Sequence, residues 1–140
     1  MNAAELGWIA TLDMLIEKRA EVNASDASGK TVLMYAMGNR NLSTVAALVS
    51  RGARVNERDA QGRTPLMYAI TNARHDPIRI YGHPNDPAEE TARYVELVKF
   101  LVDHNADVNA ADKAGLTPLA AASQLHRPEI ADLLRRAGAK

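Results

Sequence analysis

The chain's 140 residues and 15.2 kDa suit one domain, and its 17 Lys and Arg against 17 Asp and Glu leave no long-range field to gather phosphates, which argues against nucleic acid or an anionic membrane surface as partner. The absence of cysteine excludes disulfides, thiolate metal sites and a Cys nucleophile, and no apolar run reaches the roughly 18 residues of a membrane span. A composition 46% hydrophobic but 4% aromatic favours closely approaching helices over an aromatic-filled sandwich.

Residues 1–25 open the chain with Ala3 to Gly7, then Trp8, Ile9, Leu12, Leu15 and Ile16 at helical spacing, and "AEVN". Residues 1–16 lack a basic n-region, so the chain as written reads as untargeted and cytoplasmic, or periplasmic or secreted if a leader has been cut away. Next comes Asp26-Ala27-Ser28-Gly29-Lys30-Thr31-Val32-Leu33. It returns as Asp59-Ala60-Gln61-Gly62-Arg63-Thr64-Pro65-Leu66, and again as Asp112-Lys113-Ala114-Gly115-Leu116-Thr117-Pro118-Leu119. The pattern D-x-x-G-x-T-x-L has a chance probability on the order of 10⁻⁵ per position. Three copies establish an internal repeat whose period is the interval from Asp26 to Asp59.

Each part of the pattern has a mechanical reading. Asp first and Gly fourth suit a type I turn at the tip of a hairpin. Thr64 and Thr117 suit an N-cap, with Pro65 and Pro118 at the first helical position; Thr31 before Val32 is the weaker start. A short inner helix carrying Leu33 and Ala36, or Leu66 and Ala69, precedes an outer helix carrying Val45, Leu48 and Val49, or Val98, Leu101 and Val102. The outer helix stops at Gly52, Asn105 or Gly138, residues that tolerate the left-handed conformation, whereas Arg19 holds that phase in the first unit.

The third copy is late by the length of one inserted stretch, 73–92, "ARHDPIRIYGHPNDPAEETA"; without it Val22, Val55 and Val108 fall into phase. Within the stretch Asp86 suits an N-cap, Pro87 the first helical position and Glu89 the third, so the outer helix is expected to begin near Pro87 and not at Arg93. Residues 73–86 then cross back as a loop, with Ile78, Ile80 and Tyr81 against the added helix. This insertion reads as a second recognition edge formed by His75, Asp76, Arg79, Tyr81 and His83, with Arg79 and Tyr81 as anchors.

The turn pattern with T-P-L and the endings "RGARVNERD" and "HNADVNAAD" resemble the ankyrin-repeat family, whose unit is a hairpin turn, two antiparallel helices and a returning loop. The family's usual His after T-P-L is replaced by Met34, Met67 and Ala120. The resemblance implies an all-α ankyrin-repeat solenoid of about four repeats: a truncated first at 1–25, then 26–58, 59–111 with the insertion, and a C-terminal capping repeat at 112–140. Two short helices bury too little apolar surface to offset the cost of ordering a whole unit, so neighbouring units must cover one another. In the family, hairpin tips and inner-helix surfaces meet partners. Here those positions are Ala27, Ser28, Lys30, Gly38 and Asn39; Ala60, Gln61, Arg63, Thr71 and Asn72; and Lys113, Ala114, Leu116, Gln124 and Leu125, a mixture suited to a polar or acidic protein surface. The Asn residues of "AEVN", "ARVN" and "ADVN" are expected to bond the loops between units.

The implied function is non-catalytic protein–protein recognition by a monomer without cofactor or metal, in the manner of short bacterial ankyrin proteins that act as dedicated inhibitors or immunity-type binders. A second reading is an interaction segment of a longer ankyrin-repeat chain. His75, Asp76 and His83 match no metal-ligand spacing, and neither a G-x-S-x-G elbow nor a phosphate-binding glycine loop occurs. An enzyme is not expected.

Overall fold

Thr31, Thr64 and Thr117 each start a helix by accepting the backbone N–H three residues on, from Met34 (3.4 Å), Met67 (3.4 Å) and Ala120 (3.2 Å). The computed structural model describes residues 21–38, 41–71 and 87–140, apart from the side chains of 87–90. Among them are six α-helices: α1 (Val32–Gly38), α2 (Leu42–Ser50), α3 (Pro65–Thr71), α4 (Pro87–Asp103), α5 (Pro118–Gln124) and α6 (Pro128–Arg136). The described residues form no strand; their one isolated antiparallel bridge joins Ser25 and Thr31 across the first hairpin turn. None of these helices is long and apolar enough to cross a membrane.

The helices pack in pairs, α1 with α2, α3 with α4 and α5 with α6, and the pairs stack so that α1, α3 and α5 form an inner row and α2, α4 and α6 an outer one. Stacking decides burial. In the middle pair every residue from Pro65 to Ile70 of α3 is buried, because α1 and α5 cover it on both sides. Helix α1 buries Leu33, Met34, Ala36 and Met37 and leaves Val32 and Tyr35 exposed. From the outer row come Val45 and Leu48, then Tyr94, Leu97, Val98 and Leu101, then Ile130, Ala131 and Leu134, spaced by three and four as amphipathic helices require. Val49, Val102 and Leu133 are half-buried at the margin of this core.

Helix α4 begins at Pro87, as its capping sequence predicts, and runs for 17 residues against nine for α2 and α6. Asp86 and the loop expected over 73–86 lie outside the described residues, as do residues 1–20 with the truncated first unit. The outer helices end where expected, with Gly52, Asn105 and Gly138 at φ of 89°, 63° and 91°. Behind each, the next N–H reaches back into the last turn: Ala53 to Leu48 O (3.0 Å), Ala106 to Leu101 O (2.9 Å) and Ala139 to Leu134 O (2.9 Å). His104 closes α4 by bonding Phe100 O through Nδ1 (2.8 Å) while its ring stacks on Phe100.

The asparagines join the units as expected, and each does so in the same way. Asn23 Nδ2 donates to Gly52 O (3.0 Å) while its Oδ1 accepts from Arg54 N (2.8 Å). Asn56 repeats this with Asn105 O and Asp107 N, and Asn109 with Gly138 O and Lys140 N. Each clamp grips the left-handed residue that ends the neighbouring outer helix, so one side chain satisfies an orphan carbonyl and fixes the spacing of two units.

Candidate protein-binding face

The hairpin tips are organised by their aspartates. Asp26 Oδ1 accepts from the N–H groups of Ser28 (2.8 Å) and Lys30 (3.0 Å) and from Ser28 Oγ (2.7 Å). Asp59 Oδ1 accepts from the N–H groups of Gln61 and Arg63, and Asp112 Oδ1 from those of Ala114 and Leu116. Each carboxylate thus replaces backbone partners that the tight turn leaves unmet. Successive tips are tied by Ala60 N–H to Ser28 O and Lys113 N–H to Gln61 O, both 2.9 Å. That approach is close enough that a Cβ on Gly62 would lie 3.1 Å from Lys113 N, whereas one on Gly115, at the last tip, would meet nothing within 4 Å.

Two tyrosines complete this face. Tyr35 Oη donates to Asp26 Oδ2 (2.6 Å), and Tyr68 Oη donates to Asp59 Oδ2 (2.7 Å), with the same spacing from tip to helix in both units. Arg63 Nε donates to the same Asp59 oxygen (2.9 Å), Arg63 Nη2 donates to Tyr68 Oη (2.7 Å), and the guanidinium lies 4.8 Å from the Tyr68 ring centre. Lys30 Nζ stands 5.7 Å from the Tyr35 ring and 5.5 Å from the Tyr68 ring, within cation–π range of both. The hydrogen bond from Tyr35, then those from Ser28 and Lys30, hold the Asp26 carboxyl well below the usual carboxylate range. Burial pushes Asp59 up, but bonds from Tyr68 and Arg63 more than offset it and leave the group below its ordinary value. Tyr68 is pushed up by burial and by its bond to Asp59, and Tyr35 by its bond to Asp26. Both phenols therefore serve as neutral donors.

Of the residues read from the sequence as partner contacts, Ala27, Ala60, Gln61, Lys113 and Ala114 are exposed on the tips and Gln124 at the end of α5, while Leu116 is half-buried. Ser28 is half-buried and works within its own turn. Arg63 is gathered into the Asp59–Tyr68 cluster, its charge already engaged at 2.8 Å. Lys30 joins the same cluster through ring contacts. Asn39, Asn72, His75, Arg79, Tyr81 and His83 lie outside the described residues. The sequence reading missed Tyr35, 54% exposed on the first inner helix. The signal was present: Tyr35 and Tyr68 stand one repeat period apart, where the last unit has Ala121. The face therefore changes along the row, from Lys30 and Arg63 to Leu116, and from Tyr35 and Tyr68 to Ala121.

Elsewhere the described surface carries a cleft of about 630 Å³ between α4 and α6, lined by Val95, Lys99, Val102, Glu129, Leu133 and Arg136 among others. It opens widely to solvent, and its carboxylates are exposed at the rim. Among the described residues no group of three or more His, Asp or Glu is placed to hold a metal ion.

A family profile of ankyrin repeats in three copies matches residues 1–80, and one of a single ankyrin repeat matches residues 61–113. The chain belongs to the ankyrin-repeat family. A search of curated proteins finds no match. Ankyrin repeats are generally protein–protein interaction modules and typically non-enzymatic. The Met34 and Met67 side chains, which stand where the family has His, are fully buried in the inner row, and the threonine caps form at those positions nonetheless.

Proposed function

We propose that this ankyrin-repeat chain is a non-catalytic binder that recognises a protein partner through its hairpin tips and inner-helix surface. The observation that carries this reading is the fixed state of the face. Aspartates, tyrosines, Lys30 and Arg63 hold one another across two units, so exposed Tyr35 and the tip residues are presented with little ordering left to do on binding. The inserted edge extends the same function, with Arg79 and Tyr81 as its anchors. A dedicated inhibitor or immunity-type role follows if the face covers a functional surface of the partner; the resemblance to short bacterial ankyrin binders supports it.

Photo-crosslinking in native extract tests the assignment of the face. A crosslinker placed at Ala27, Ala60 or Ala114 should capture one protein in common, and one placed at Lys99 or Asp132 on the outer helices should not. Capture from the outer helices alone would overturn the proposal.

A further inference from the structure

The charges that remain available on the face narrow the chemistry of its partner. This inference rests on the proposed use of the tips and inner helices. Asp26 and Asp59 are each saturated by four hydrogen bonds, from their own turn amides and from hydroxyl or guanidinium donors. Their negative charge is directed into the tip. Arg63 is spent on Asp59 and Tyr68. Lys30 has no carboxylate partner among the described residues; the Tyr35 and Tyr68 rings hold its ammonium in place. Exposed Lys113 also has no ion pair there, but it stands on the last tip, where the matching inner-helix position is Ala121 and offers no ring.

From this we infer that the partner supplies an acidic segment whose carboxylate seats on Lys30, with an adjacent apolar side chain packed on the exposed face of Tyr35 and on Val32, itself 40% exposed. Lys30 is the anchor that selects for acid. Arg63 is a positioning residue that holds the Tyr68 ring beneath the ammonium. The ring faces pre-set the lysine rotamer, so the ion pair forms without the usual cost of ordering a long side chain.

The test uses the isotopically labelled full chain and three short synthetic peptides of alternating Leu with Glu, Gln or Lys, followed by NMR up to about 2 mM, since a single-anchor contact sits near the millimolar limit. The Glu peptide should shift resonances within 27–35 and 60–68 and bind roughly fivefold or more tightly than the Gln peptide, with the preference shrinking as salt rises. Lys30→Gln should abolish that preference, Lys30→Arg should keep it, and Lys113→Gln should change it less than about twofold. Equal binding of the Glu and Gln peptides at the tips would overturn the acidic partner while leaving the face intact. Shifts confined to the outer helices, or none with any peptide, would overturn the face as well. Tighter binding of inorganic phosphate or a short oligonucleotide at Lys30 would overturn the assignment to a protein carboxylate.

Discussion

The side-chain amide of Asn56 donates to the carbonyl of Asn105 at 2.9 Å and accepts the N–H of Asp107 at 2.8 Å, bridging two neighbouring units. Both bonds are exposed, so water replaces part of what their loss removes. Asn56→Ala should therefore cost about 1–2 kcal/mol. It should also loosen the coupling between units, because in a row each unit depends on its neighbours. Urea melts followed separately by a probe on α2 and a probe on α6 should coincide in the native chain and separate in the variant. Coincident transitions at the native midpoint would show that the clamp is dispensable.

Asp59 gives the fold a defined response to acid. Its side chain is shielded from solvent, and its folded pKa lies below the ordinary 3.8. Its contribution is then complete above pH 3.8 and is lost as pH falls through the lower, folded value. Asp59→Asn keeps an acceptor for the turn amides but places an amide beside Arg63 and Tyr68, and should cost about 2–3 kcal/mol at pH 7. Denaturant melts at pH 7, 5 and 3 should show this deficit narrowing below pH 3.8. A deficit constant across the series would mean that charge at Asp59 is irrelevant.

Gly62 and Gly115 share a φ of 79°, so alanine at either carries the left-handed penalty of about 1–2 kcal/mol. The difference is steric, since the new Cβ at 62 faces Lys113 N at 3.1 Å and the one at 115 faces open space. Gly62→Ala should lower Tm clearly more than Gly115→Ala, by an additional few degrees for a chain of this size. Equal losses would imply that the tips do not press on one another.

Replacing residues 74–85 by a short glycine-containing link removes the proposed second edge while retaining Pro87 and the buried part of α4. The expected result is a folded protein whose affinity for its captured partner falls at least about tenfold, as loss of two anchors of the Arg and Tyr type would produce. Unchanged affinity in the folded variant would reduce the segment to a cover for helix ends.

Much of this architecture is legible in the sequence, because its signals are local and repeated. The Thr-Pro starts, the Gly and Asn stops and the Pro87 start of α4 each follow from the conformational limits of single residues. The asparagine clamps are legible for the same reason, since "VN" recurs in phase. The Tyr35–Asp26 and Tyr68–Asp59 bonds are not. They depend on a tip folding back over its own inner helix, and a tyrosine on an apolar helix reads as core until that geometry is known. His126 is likewise opaque: it takes φ of 53° to end α5 while Arg127 N–H bonds Ala122 O (3.0 Å), a role usually given to Gly or Asn.

The progression from Lys30 and Tyr35, through Arg63 and Tyr68, to Leu116 and Ala121 gives the proposed docking surface a head and a tail. A ligand laid across it backwards would set its charged end over Leu116 and its greasy end over the ammonium of Lys30. Under the proposed use of this face, the row would dictate the heading of its partner, a form of selectivity that a perfectly regular array of identical units does not possess.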